Sequence, residues 1–88
     1  MTQQLFLTTK IWKEGKSYIA FNPELEVASQ GKTREQAEKN LREAVKLFLD
    51  TARKKGGLEQ ILRESGFVKE KRIWQSPLIN IYSLPVRI

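Results

Sequence analysis

Apolar residues recur along this chain at two different periods, and the change of period divides it. Over residues 4 to 12 they alternate. Leu5, Leu7, Thr9 and Ile11 fall on one side and Phe6, Thr8, Lys10 and Trp12 on the other, as in a strand. Glu14-Gly15-Lys16 makes a tight connection to a second run, residues 17 to 22, which carries Tyr18, Ile19, Ala20 and Phe21. Two such runs joined by a short Gly-containing loop read as a β-hairpin. Asn22-Pro23 marks a turn. Residues 24 to 28 then form a short third strand, with Leu25 and Val27 on one face.

Beyond Gly31 the apolar step lengthens to three and four. Ala37, Leu41, Ala44, Val45, Phe48 and Ala52 make one stripe, opposite Glu35, Glu38, Lys39, Arg42, Glu43, Lys46 and Asp50. This is a long amphipathic helix. Gly31 supplies the positive backbone angles of a strand-to-helix turn. Thr33 sits at the N-cap with Gln36 three residues on, the spacing of a capping box. Arg53, Lys54 and Lys55 complement the dipole at the last turn, and Gly56 and Gly57 close the helix.

Leu58, Ile61 and Leu62 fit a second, short helix ending before Gly66. Phe67 and Val68 resume an apolar course, Lys69 to Arg72 form a charged patch, and Pro77 breaks the chain. Residues 78 to 82 read as a last strand. Pro85 keeps the final residues away from a central position, because it has no N–H for a ladder. The predicted order is β-β-β-α-α-β in one domain, residues 1–88. The class is α+β, an antiparallel sheet with a long helix packed across one face.

Composition narrows the chemistry more than the fold. There is no histidine and no cysteine, so the commonest general base, the commonest nucleophile and the softer metal ligands are missing. The five serines have no imidazole to activate them, and no Ser–Lys pair is singled out. Glu24 and Glu26 read as solvated charges flanking a short strand, and Asp50 is the only aspartate. Gly31-Lys32-Thr33 looks like the end of a phosphate-binding loop, but Glu26 stands where that motif needs its first glycine. No catalytic, cofactor-binding or metal-binding residue is predicted. No segment reads as a signal peptide or a membrane span, which suits a cytoplasmic protein.

The net charge of +6 is uneven. Residues 1–52 carry a balance of +1 and residues 53–88 a balance of +5. Arg53, Lys54, Lys55, Lys69, Lys71 and Arg72, with Trp74 nearby, are therefore candidates for neutralising phosphates and stacking a base. Against that, neither a helix-turn-helix nor an RNA-recognition signature is present. Association is the other candidate activity. Phe6, Trp12, Tyr18, Trp74 and Tyr82 are more aromatics than one small core comfortably holds, and aromatics are favoured at protein interfaces. A sheet covered on one face also leaves edges open to pairing.

Three stretches also resemble a known family. Tyr18-Ile19-Ala20-Phe21-Asn22-Pro23-Glu24-Leu25 and Ala28-Ser29-Gln30-Gly31-Lys32-Thr33 are followed by Glu35-Gln36-Ala37-Glu38-Lys39-Asn40-Leu41-Arg42-Glu43-Ala44. In order and spacing they are similar to the HicB-like antitoxins, over about residues 5 to 50. Residues from Pro77 onward resemble that family's last strand. The resemblance implies a partial RNase-H-like fold without nuclease carboxylates. It implies a homo-oligomer, dimer or tetramer, that binds and masks a small HicA-type ribonuclease toxin. Many members add a C-terminal DNA-binding domain. Here the thirty-odd residues after the helix read as a short helix and a strand, so operator binding is not expected.

Overall fold

The computed structural model describes residues 4–78 and 80–88. It contains two three-stranded sheets and two helices. The first sheet holds β2 (Lys10–Glu14), β3 (Ser17–Asn22) and β4 (Val27–Gly31), antiparallel and in that spatial order. The second holds β1 (Gln4–Leu5), paired in parallel with β6 (Ile73–Gln75), and β5 (Val68–Glu70), antiparallel to β6. Helix α1 (Arg34–Lys54) packs on the first sheet, chiefly against β4 and β3, and α2 (Leu58–Glu64) leads into the second. The predicted hairpin, its Gly15 turn and both helices are present. The element order is β-β-β-β-α-α-β-β.

The long alternating run of residues 4–12 is interrupted at Thr8, by side chains distant in sequence. The Thr8 N–H donates to Glu24 Oε1 at 2.9 Å, and its carbonyl accepts from Asn22 Nδ2 at 2.8 Å. Both backbone groups are thus taken by side chains instead of a neighbouring strand, and the run divides into β1 and β2. The expected facing survives, with Leu5, Leu7 and Ile11 half-buried and Phe6 and Trp12 exposed.

The same group of residues displaces the third strand. Asn22 Oδ1 accepts from the Leu25 N–H at 2.8 Å, and Glu26 takes a left-handed φ of 56°. Residues 23–26 are consequently a turn, and β4 begins at Val27 rather than at residue 24. Glu24 is not a solvated edge charge. Its carboxylate also accepts from Thr8 Oγ1 at 2.7 Å, from Asn22 Nδ2 at 2.8 Å and from the Ser76 hydroxyl. Asn22 is buried, and both its amide donors meet groups that only accept.

Thr33 caps α1 as predicted, with its Oγ1 accepting from the Gln36 N–H at 3.0 Å. Gln36 Oε1 returns the contact at 2.7 Å to the N–H of Lys32, one residue before the cap. Gly31 serves a different purpose from the one expected. It lies in β4 without a positive φ, and a Cβ there would stand 2.6 Å from Ala37 N and 2.9 Å from Gln36 Cβ. Only glycine lets the strand approach the helix this closely, and Asn40 Nδ2 ties the two by donating to the Gln30 carbonyl at 2.9 Å.

Chain ends after α2 follow another glycine. Gly66 has a φ of 91°, its N–H donates to the Arg63 carbonyl and that of Phe67 to the Leu62 carbonyl, both at 3.0 Å. This is a Schellman motif, with Phe67 and Leu62 in contact behind it. It turns the chain into the β5–β6 hairpin, which the sequence pattern did not reveal. Lys69 to Arg72 is not a free charged patch but part of that hairpin, whose connection is Lys71, at a φ of 59°, and Arg72. Residues 78 and 80–82 belong to no strand, and Ile79 of that predicted strand lies outside the described residues. The strand that joins β1 is β6, upstream of Pro77.

Two groups of buried side chains make the core. Ala20, Ala37, Leu41 and Val45 lie between the first sheet and α1, while Leu62, Phe67 and Trp74 lie under the second. Leu7, Leu25 and Leu49 pack against both and join them.

Two predictions follow from the packing and the hydrogen bonds. Gly31→Ala forces β4 away from α1 and lowers stability by about 1–3 kcal/mol, the usual cost of overpacking, read as a lower urea midpoint with an unchanged m-value. Glu24 titrates in a definite direction. Partial burial pushes its carboxyl up, but the Ser76 and Thr8 hydroxyls and the Thr8 N–H outweigh burial and hold it below the ordinary 4.5. The unfolded chain therefore binds this proton more readily, so the stabilisation is complete above pH 4.5 and disappears as the pH falls through the folded-state value. Urea midpoints of the wild type and Glu24→Gln should differ most at pH 6 to 7 and converge as the pH falls through the folded-state value; a gap independent of pH contradicts the assignment.

Candidate interaction surfaces

The first surface is the outer face of β2, β3 and β4. Alternation places Ile11, Tyr18, Ala20 and Val27 toward α1, so Trp12, Ile19 and Phe21 point the other way. Trp12 stands opposite Ile19 in the ladder, and Lys10 opposite Phe21. The Trp12 and Phe21 rings meet edge to face, with centroids 6.4 Å apart and planes at 65°. Trp12 is 41 % exposed. Among the described residues, α1 is the helix that packs on this sheet, and it lies on the opposite face. The free edge of β2 borders the same surface.

The second surface is a groove of about 500 Å³ between α1 and α2, lined by Val27, Ala44, Leu47, Phe48, Ile61 and neighbours. Leu47 is 69 % exposed. Its helical neighbours three and four residues away are Glu43, Ala44, Asp50 and Thr51. The apolar spot is thus edged by two acids on a chain whose net charge is positive. Thr51 and Lys55 are the polar residues of the lining. That gives few groups to orient a small ligand, and suits a protein surface better.

The five aromatics expected at an interface do not share a surface. Phe6, 60 % exposed, lies in the link between β1 and β2, and Trp12 lies on the open sheet face. Tyr18 packs toward α1, with Lys13 Nζ 6.0 Å from its ring centre. Tyr82 is on the C-terminal segment, 72 % exposed. Trp74 is only 2 % exposed, a core anchor rather than a surface residue. Ile19, Phe21 and Leu47 are the surface positions that the aromatic count passed over.

The basic residues divide as well. Arg53, Lys54 and Lys55 stand at the end of α1, whereas Lys69, Lys71 and Arg72 are on the β5–β6 hairpin. Arg53 Nη1 lies 3.8 Å from Asp50. Lys69 and Arg63 sit over the Trp74 ring, at 5.6 and 5.4 Å from its centre. Arg63 also donates to Glu59 at 2.9 Å, which with Lys69 nearby holds that exposed carboxyl below its ordinary range. A base has no access to the covered indole, so the stacking half of the nucleic-acid arrangement is absent at Trp74.

Around Glu24, the side chains of Thr8, Asn22 and Ser76 direct donors at the one carboxylate, and Asn22 also donates to the Thr8 carbonyl. Among the described residues, no group of three or more acids gathers in a metal-holding arrangement, and no helix is long and apolar enough to cross a membrane.

Compared with protein-family models, with characterised proteins and with solved structures, this chain matches none of them.

Proposed function

We propose that this chain is a non-enzymatic, cytoplasmic antitoxin-like protein of the HicB type, which forms a homo-oligomer and masks a small HicA-type ribonuclease. The observation that carries the reading is the pair of uncovered apolar surfaces on opposite sides of one small domain, the Trp12–Phe21 sheet face and the Leu47 groove. A chain of this size with two such surfaces suits association with two kinds of neighbour. The strand arrangement is compatible in part with an RNase-H-like fold: a hairpin and third strand in one sheet, a long helix, then β6 returning parallel to the two-residue β1 in the second sheet.

The two surfaces divide the work. The sheet face takes the second copy, and the groove takes the ribonuclease. HicA-type partners are basic, and like charges on the whole molecules oppose their approach. Glu43 stands one turn from Leu47, but Asp50 is shared with Arg53, and Lys55 lines the groove, so charge does not supply the attraction. Masking is then steric, with α1 and α2 laid over the ribonuclease's active site and held by apolar contact.

The test is co-expression of the tagged chain with its neighbouring reading frames in native order. A small basic ribonuclease should co-elute, be toxic alone, and lose activity in the complex. Leu47→Lys should leave the fold intact and weaken the complex at least tenfold. Raising salt to 0.5 M should leave the complex intact or tighten it, because screening removes repulsion. A homo-oligomer that elutes without any such ribonuclease would overturn the antitoxin reading. The chain itself should scatter light as a multiple of 10.2 kDa at micromolar concentration.

A further inference from the structure

Residues 80–88 belong to no strand or helix and are exposed throughout, up to Ile88 at the very end. The segment begins beside Lys10 and Pro23, which form an open recess with Leu78, Asn80, Ile81 and Tyr82. This is the end of the open sheet face, where Lys10 pairs with Phe21. From there the chain projects. The radius of gyration is 14.9 Å, whereas a compact chain of this length would have about 12 Å. Nine extended residues reach about 30 Å, against roughly 17 Å for a five-residue strand such as β2.

Its chemistry is that of a strand without a sheet. Arg87 is its only charged side chain. Tyr82, Leu84, Val86 and Ile88 fall on one side at period two. In an extended segment the backbone groups of 82, 84 and 86 point to one edge and those of 83, 85 and 87 to the other. Pro85 has no N–H, so the second edge is interrupted and the first is whole. The segment can therefore add to a sheet on one side and end it there.

Resting on the homo-oligomer reading above, we infer that residues 80–88 are an exchange arm that pairs with the free edge of β2 in a second copy of this chain. Tyr82, Leu84 and Val86 then lie beside the second copy's Trp12. The two enlarged apolar faces close on each other across a two-fold axis, each arm given and received once. A single chain leaves the arm, the edge and the face all in water; two copies cover all three. The interrupted edge at Pro85 stops further strands from adding on that side, and the reciprocal exchange of arms closes at two.

The native chain has no cysteine, which makes the contact directly testable. Chains carrying Trp12→Cys are mixed with chains carrying Leu84→Cys and mildly oxidised. A mixed disulfide dimer should form severalfold faster than either like-with-like dimer. Removal of residues 80–88 should reduce the light-scattering mass to one chain at micromolar concentration with an unchanged far-UV spectrum. If full-length and shortened chains have the same oligomeric mass, the arm is not the contact although the oligomer stands. If the full chain is monomeric, both readings fail. If a chain carrying both Trp12→Cys and Leu84→Cys links only within itself, the arm folds back on its own sheet and the exchange is overturned. Should the shortened chain not fold, the mixed-disulfide result decides alone.

Discussion

A buried amide and a carboxylate two residues apart decide how this chain is divided. Asn22 and Glu24 take the backbone groups of Thr8, cap the N–H of Leu25 and receive the Ser76 hydroxyl. Four segments distant in sequence meet at these side chains: the link between β1 and β2, the end of β3, the turn before β4, and the exit from β6. Burying a carboxylate is costly unless donors surround it, and here each donor also positions a segment. Leu7 and Leu25, each next to a member of this group in sequence, are with Leu49 the side chains that touch both halves of the core. The polar contacts set where the strands break, and the apolar ones beside them hold the two sheets together.

This division explains which features were legible in the sequence. The helix α1 was, because its cap, its period of three and four, and its closing glycines all depend on residues close in sequence. The hairpin of β2 and β3 was legible for the same reason. The break at Thr8 was not, since it depends on Asn22 and Glu24, 14 and 16 residues away. Alternation in residues 4–12 is genuine as regards facing and misleading as regards pairing. The β5–β6 hairpin escaped because its strands have three residues each and its turn places lysine, not glycine or asparagine, in the left-handed region. Gly31 was noticed for a turn it does not make; contact with α1 is a tertiary fact that a single residue type cannot signal.

The candidate surfaces were legible only in part, and burial is the reason. Counting aromatics detected an excess, but an aromatic in a chain of 88 residues can anchor the core as readily as an interface. Trp74 does the first, under Arg63 and Lys69, while Trp12 does neither in a single chain. The distinction lies in the strand each occupies: Trp74 sits on β6 between β1 and β5, whereas Trp12 sits at the margin of a sheet covered on one side. Leu47 was hidden by the amphipathic pattern itself, being an apolar residue on the edge of a face that otherwise reads as charged.

The distribution of charge and apolar surface also bears on what kind of association is feasible. The excess of positive charge in residues 53–88 lies mainly at the end of α1 and on the β5–β6 hairpin, and Arg53, Arg63 and Lys69 are engaged over Trp74 or with an acid. Such charges keep copies apart at a distance and weigh little once surfaces touch, because exposed pairs are well screened. The Trp12–Phe21 patch and the C-terminal segment carry few charges in comparison, whereas β2 itself bears Lys10, Lys13 and Glu14. Long-range repulsion and short-range apolar attraction therefore act on different parts of the molecule. That combination favours a few closed contacts of defined geometry over open-ended aggregation, which an uncovered edge and a segment with a single charge would otherwise invite.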